Sequence, residues 1–414
     1  MTPSAAGSTR VVLRGRGDVA ARRLDGRYFV LSAQGRQPHL LNESAAHIWD
    51  VIEEWGNLSL DDLVDRVAER VGVDQDAIRA DIIDSLAGFE DLVDIDVQQS
   101  EDVRACPAVS NSWAARTEGE TGCRDAALGA RIGPFRALES VVVIEALVER
   151  DDPEVGAQLV ELFADLRAAL NPLVRATTTI SIGQPSPITI RLQHRDGRWV
   201  LKRNDVQVAS TPSTMAMRAA ILAEVNAGPI DALRDCVGWH AGAVEFASGI
   251  VMFPGHSNAG KSTLVTQLVQ QGRSYLTDEA VAIDAATRQV QSFPKAICME
   301  TGAKELFGEL EPKGQSTWST WHVDPTTIGP GKLAAPGRLA GVVFPTFVPS
   351  AEVSFTRLRR SDAFNRLLEN SFDFAAVGSA GAALMLEIAD TIPCFSLRHG
   401  GQPEHLLVLD ARFG

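Results

Sequence analysis

Gly255-His256-Ser257-Asn258-Ala259-Gly260-Lys261-Ser262 fits the pattern G-x-x-x-x-G-K-[ST] at every fixed position. Ile250-Val251-Met252-Phe253 before it is an apolar run of buried-strand type. Thr263–Val269 after it carries apolar residues at helical spacing. Strand, loop and helix in that order is what a phosphate-binding loop requires. Gly255 and Gly260 allow the backbone to turn its N–H groups inward around phosphate oxygens. The helix N-terminus adds a field that favours negative charge. Lys261 reaches the β- and γ-phosphates, and the Ser262 hydroxyl is placed to ligate Mg2+. His256, Ser257, Asn258 and Ala259 in the loop, with Thr263 after it, complete the expected nucleotide-binding set. His256 reads as a variable surface residue of the loop rather than a catalyst. ATP and Mg2+ are the expected cofactors.

A phosphate loop alone does not name a reaction. One strand further on, Tyr275-Leu276-Thr277 runs into Asp278-Glu279 ahead of Ala280–Ile283. One of two adjacent carboxylates can hold Mg2+, directly or through water. The other can accept a proton from an attacking hydroxyl. His240 lies in Trp239–Phe246, a strand-like segment before the loop strand, where a lone His is usually structural.

The rest of the chain divides by texture. Residues 10–96 read as a small domain. Arg27–Ser32 and Pro38–Leu41 are strand-like, with a turn at Gln34-Gly35 between them. Asn42 and Ser59 are helix caps, the second with Asp62 three residues on. A third helix carries Ile78, Ile82, Ile83, Leu86 and Phe89, and Leu92-Val93 is a terminal strand or turn. A hairpin with three helices is winged-helix-like. Residues 97–135 read as a linker, rich in turn and polar residues. Residues 136–410 mix helices and strands, with strands expected at Val141–Leu147, Thr177–Ile182, Pro187–Gln193, Arg198–Lys202 and Asp205–Ala209. Helices are expected over Glu154–Leu170 and Thr214–Val225. The expected fold class is mixed α/β (α+β).

The loop, the carboxylate pair and His240 together resemble the HPr kinase family and its related peptide kinases. In that family a His opens the strand ahead of the loop, and here His240 precedes Gly255 by 15 residues. Ser257, Gly260, Lys261 and Ser262 match the family loop, and Asp278-Glu279 its acidic strand end. Phe293-Pro294-Lys295 is similar to a basic segment further along. The resemblance covers roughly residues 230–400. It implies that Asp278 is the base for the acceptor hydroxyl and His240 its orienting partner. It also implies that Glu279 and Ser262 hold the metal, with Asp278 in the same metal set and Glu300 a lesser candidate. Asn258 replaces a usual glycine, Thr263 stands where bifunctional HPr kinases carry Glu, and Glu279 replaces the second Asp. These departures favour the divergent peptide kinases over HPr kinase itself. HPr kinases assemble as hexamers, so the resemblance also implies a homo-oligomer.

The N-terminal domain resembles PqqD, the leader-binding element of ribosomal peptide (RiPP) biosynthesis. The matching residues are Leu41–Trp49, Leu60–Val71 and Asp81–Val93. That family adds a leader peptide as a strand on its hairpin edge, with the third helix walling the groove. The resemblance makes Arg27–Ser32 the pairing edge, with Ile78, Ile82 and Leu86 partly lining the groove or simply core.

Composition is consistent with these expectations. The 414 residues carry a net charge of −14 at a pI near 5.1. An acidic balance argues against nucleic-acid or anionic-membrane partners. No apolar run reaches membrane-spanning length. The five scattered cysteines form no C-x-x-C pair, which fits a reducing cytoplasm. The expected function is ATP-dependent phosphorylation of a Ser or Thr hydroxyl on a leader-bearing precursor peptide. The alternatives are an ATP-dependent modification that leaves no phosphate on the product, and a nucleotide-responsive peptide-binding scaffold.

Overall fold

The computed structural model describes residues 10–15, 19–32, 38–56, 58–87, 89, 92–98, 127–148, 153–176, 187–257, 259–300, 303–310, 320–372 and 377–414. The chain divides into two units, Met1–Arg124 and Asp125–Gly414.

The first unit contains β1 (Arg10–Gly15), β2 (Val19–Leu24), β3 (Arg27–Ser32), β4 (His39–Leu41), α1 (Glu43–Trp55), β5 (Leu58–Ser59), α2 (Leu60–Val71), α3 (Gln75–Ala87) and β6 (Val93–Gln98). Local chemistry explains the helix starts. The Asn42 side chain accepts from Ala45 N at 2.8 Å, and Ser59 with Asp62 forms a reciprocal capping box. α2 ends at Gly72, which takes the left-handed conformation. Ile48, Trp49, Ile52, Leu63, Val67, Ile82 and Leu86 share one core, and Phe89 meets Trp49 edge to face at 5.9 Å. Ile82 and Leu86 are therefore core residues. Ile83, expected on the apolar side, is exposed, and Ile78 is half-buried.

The edge strand differs from the expected one. β3 is the central strand of the sheet β2-β3-β4, with Val19–Leu24 paired along its whole length. Its register with β2 is set by a two-residue turn at Asp25-Gly26, both at positive φ. Arg27–Ser32 is thus not an open edge. β2 escapes a sequence reading because Val-Ala-Ala-Arg-Arg-Leu lacks alternation and has a single β-branched residue, Val19. The expected turn at Gln34-Gly35 lies outside the described residues.

The second unit opens with β7 (Ala127–Ala137), β8 (Ser140–Val148), α4 (Pro153–Ala176), β9 (Ile188–Arg195), β10 (Arg198–Arg203), β11 (Val206–Thr211) and α5 (Thr214–Asp231). The linker expected over 97–135 is cut short at its C-terminal end, because β7 is a full strand antiparallel to β8. Its register shifts between Ile132 and Phe135, where Gly133-Pro134 interrupts the ladder. Proline cannot donate to a ladder and sits at such irregularities, so a loop signal marked a strand irregularity here. Residues 99–126 lie outside the described residues, as does the strand expected at Thr177–Ile182. α4 links the parallel pair β8 and β9, and the five strands run β11-β10-β9-β8-β7. Ile144, Leu166, Trp199 and Ile221 are buried in their common core.

The chain continues through β12 (Cys236–Phe246), β13 (Gly249–Pro254), α6 (Lys261–Gln270), β14 (Ser274–Thr277), β15 (Ala280–Asp284), β16 (Gln289–Gln291), β17 (Ile297–Glu300), α7 (Lys304–Phe307), β18 (Thr320–Val323), β19 (Gly337–Phe347), β20 (Ser354–Arg357), α8 (Arg360–Glu369), α9 (Gly378–Thr391), β21 (Cys394–His399) and α10 (Glu404–Phe413). The main sheet runs β13-β12-β15-β16-β19-β21-β20, with β14 beside β12 and a further pairing of β13 with β19. β13, β19 and β21 form a parallel core, and β12 runs antiparallel to β13. The ends of these strands converge on the loop that follows β13. β17 pairs with β18 as a small separate sheet. Among the described residues no helix is long and apolar enough to cross a membrane.

Candidate functional site

β13 delivers the chain to Gly255, and α6 begins at Lys261. Gly260 between them has φ +86°, a conformation that costs a side chain strain. Gly242 on β12 allows α6 to lie directly on the sheet: a Cβ there would stand 2.7 Å from a Val265 methyl. The strand–loop–helix order expected for phosphate binding is therefore present. His256 and Ser257 are exposed, and Ala259 N donates to His256 O at 3.2 Å. Asn258 lies outside the described residues. Thr263 stands in the first turn of α6.

Lys261 is buried, and its ammonium donates to Gly255 O at 2.7 Å and His256 O at 2.8 Å. It also meets His240 Nε2 at 3.0 Å. An ammonium has no acceptor, so His240 Nε2 must accept. The proton of the neutral ring is then on Nδ1, which faces the Glu279 carbonyl oxygen at 3.1 Å. Burial, and then the Lys261 charge, hold the His240 pKa below its ordinary value. Burial also lowers Lys261, against the pull of Glu279 and Asp278.

The carboxylate pair sits in the bend between β14 and β15. Its partners are crossed relative to expectation. Ser262 Oγ donates to Asp278 Oδ2 at 3.1 Å, rather than lying with Glu279. His240 faces Glu279, with Nδ1 3.9 Å from Oε1, rather than Asp278. The register explains this: β12 pairs with β15 so that His240 stands opposite Ala280, beside Glu279. Asp278 instead turns inward. Its Oδ1 accepts from Tyr275 OH at 2.9 Å, and its Oδ2 also accepts from Cys298 N at 3.2 Å. Burial and the Asp278 charge raise the Tyr275 phenol well above its ordinary value, so it stays a donor.

Lys295 is the residue that sequence reasoning undervalued. Its ammonium lies 2.9 Å from Asp278 Oδ1 and 3.5 Å from Glu279 Oε2. The side chains of Lys295 and Asp278 are 6% and 1% exposed, whereas Glu279 keeps 31%. Burial works to lower the Lys295 pKa, but the charges of Asp278 and then Glu279 outweigh it and raise it. The only sequence signal was its place in Phe293-Pro294-Lys295.

Ser262 and Asp278 offer hard oxygen donors side by side, a set that fits Mg2+ completed by phosphate and water. Among the described residues no cluster of three or more His, Cys, Asp and Glu forms a protein-only cage. The Glu300 side chain lies outside the described residues. Two cavities flank the loop. One of about 470 Å³ is lined by Gly255, His256, Ser257, Phe347, Arg366 and Glu369. The other, about 300 Å³, lies against Ser262, Thr263, Cys298, Met299, Phe347 and His399.

Several histidines near this region are held neutral. Burial, aided by Lys295 and Arg218, lowers His322 to about 4, and burial, aided by His405, lowers His399 to about 4. An unfolded His binds its proton near pH 6.5. The unfolded state therefore binds more protons between about pH 6.5 and 4, and stability falls as pH falls through that window. At about 1.4 kcal/mol per unit, each accounts for a loss on the order of 3 kcal/mol by pH 4, and the two together for roughly twice that. Urea midpoints measured from pH 8 to 4 are expected to hold above about pH 6.5 and drop below it. His399→Phe is expected to flatten the drop.

In the first unit, a cavity of about 470 Å³ is lined by residues of α1, α2 and α3, among them Ser44, His47, Val67, Val71 and Ile78. Residues 27–92 match the family described as coenzyme PQQ synthesis protein D (PqqD). This unit is PqqD-like, in keeping with a role in binding a RiPP precursor peptide for a modifying enzyme. Comparison with curated proteins gave no match.

Proposed function

We propose that this chain is an ATP-dependent kinase acting on a Ser or Thr hydroxyl of a ribosomally made precursor peptide, whose leader the PqqD-like unit holds. The observation that carries this reading is the continuous set of contacts joining the loop to the carboxylates: His240 to Lys261, Ser262 to Asp278, and Lys295 to both carboxylates. Tethering the recognition unit to the catalytic unit raises the peptide's effective concentration at the active site.

In this reading the loop amides and Lys261 bind the β- and γ-phosphates and stabilise charge on the transferring group. Ser262 would hold Mg2+, with Asp278 behind it orienting its hydroxyl through their 3.1 Å hydrogen bond, and the ion would neutralise phosphate charge. The acceptor oxygen bonds to the γ-phosphorus, and the bond from that phosphorus to the β–γ bridging oxygen breaks, releasing ADP. The hydroxyl proton passes to Glu279. Glu279 is preferred to Asp278 because it retains exposure, while both Asp278 oxygens are engaged by buried partners. His240, donating to the Glu279 carbonyl, orients that residue.

Intact-mass spectrometry of the cognate precursor peptide, after incubation with the full chain, ATP and Mg2+, tests this. The expected result is a gain of roughly 80 Da, one phosphoryl group, lost in Glu279→Gln. Loss of water or a new bond without retained phosphate would replace the kinase with another ATP-dependent modification. An unchanged peptide that still binds would leave a nucleotide-responsive scaffold.

A further inference from the structure

The smaller cavity beside the loop contains two side chains that the phosphate chemistry does not use. Phe347, at the end of β19, is 45% exposed despite being a large aromatic residue. His399, at the end of β21, is 1% exposed, and neither of its ring nitrogens has a hydrogen-bond partner among the described residues. A buried polar ring without a partner is costly, and a ligand can relieve that cost. The neighbouring His405 is not in the same state: its nitrogens meet Gln402 O and Gln267 Oε1. The Phe347 and His399 rings lie 5.7 Å apart at 63°, so the two present different faces to one space.

The position of this space identifies its occupant. A loop of this pattern cradles the α- and β-phosphates on backbone N–H groups at the start of its helix. The nucleoside must then leave on the side of the first helical turn. Ser262 and Thr263 form that turn and line this cavity together with His399, while the other cavity, which shares Phe347, is lined by the exposed loop residues His256 and Ser257 with Arg366 and Glu369 and contains neither Ser262, Thr263 nor His399. Met299, Ala303 and Leu306 supply apolar wall, and Gly260, Lys261 and Cys298 complete the lining on the loop side. A flat, aromatic, hydrogen-bonding ligand suits such walls.

Resting on the phosphate-loop reading, we propose that this cavity is the nucleoside subsite, with the base stacked on Phe347 and hydrogen-bonded by His399. Neutral imidazole carries one donor and one acceptor, and a nucleobase edge presents both types. His399 is held neutral by its burial and by His405.

Calorimetric titration of the full chain with MgATP and with Mg-tripolyphosphate, which has the phosphates and no nucleoside, tests this. Wild type is expected to bind ATP the more tightly. Phe347→Ala is expected to weaken ATP by about tenfold or more, from lost stacking. It should leave tripolyphosphate within about twofold, and Phe347→Tyr should restore ATP. His399→Phe is expected to show the same selective loss of about tenfold. Equal affinity of wild type for the two ligands would overturn the subsite. So would an ATP affinity unchanged in Phe347→Ala, a half-exposed position whose truncation leaves the core closed. Failure of wild type to bind either ligand would instead overturn the phosphate-loop reading, and the subsite with it.

Discussion

Lys261→Ala is expected to lower ATP-dependent peptide modification by about 10²–10³-fold, the usual cost of removing one preorganised donor from a transferring group. The substitution also dismantles a local arrangement. The ammonium bonds to Gly255 O, His256 O and His240 Nε2, closing the loop over the end of β12. Without it, part of the electrostatic penalty on protonated His240 disappears. Burial remains the larger cause, so the His240 pKa should rise towards its ordinary value without reaching it. Initial rates at saturating ATP, together with NMR titration of the histidine ring, separate the two effects. A fall in rate with an unchanged His240 titration would contradict the observed contact.

Lys295→Met is expected to destabilise the second unit by about 3–5 kcal/mol, because it leaves the buried Asp278 carboxylate without its cation. Denaturant unfolding of the full chain would register this as a lower midpoint. Asp278→Asn in the same background removes the stranded charge. The double variant should therefore be less destabilised than the sum of the single ones. Simple additivity would mean that the 2.9 Å pair contributes no coupling. Lys295 holds its proton more tightly in the folded protein than in the unfolded chain. Its stabilising effect is complete below the ordinary lysine range and is lost only as pH rises above it. The acid-side loss of stability expected from His322 and His399 thus belongs to a separate pH window.

The loop, its strand and its helix were legible in the sequence because each rests on short-range rules. A buried strand shows as a β-branched apolar run, the turn into α6 as Gly260 at positive φ, and the helix as apolar spacing. The same holds for the caps at Asn42 and Ser59. It also holds for the 27–92 segment, whose helices and core spacing follow a known pattern. Asp278-Glu279 could be identified as a chemically interesting pair on composition and position alone.

Which partner each carboxylate takes could not be read this way. Adjacent residues in a bend point in different directions, and the outcome depends on the pairing of β12 with β15, which brings His240 to Glu279. Lys295, 17 residues beyond Asp278, reaches it only because the chain passes through β15 and β16 and returns beneath the bend. Phe347 and His399 come to the loop from the ends of β19 and β21, through parallel pairing with β13 and with each other. Likewise, β3 reads as a strand from its own residues, but whether it is an edge depends on β2. Backbone conformation and helix capping are settled within a few residues, whereas the company a buried charge keeps is settled by register between strands far apart in the chain.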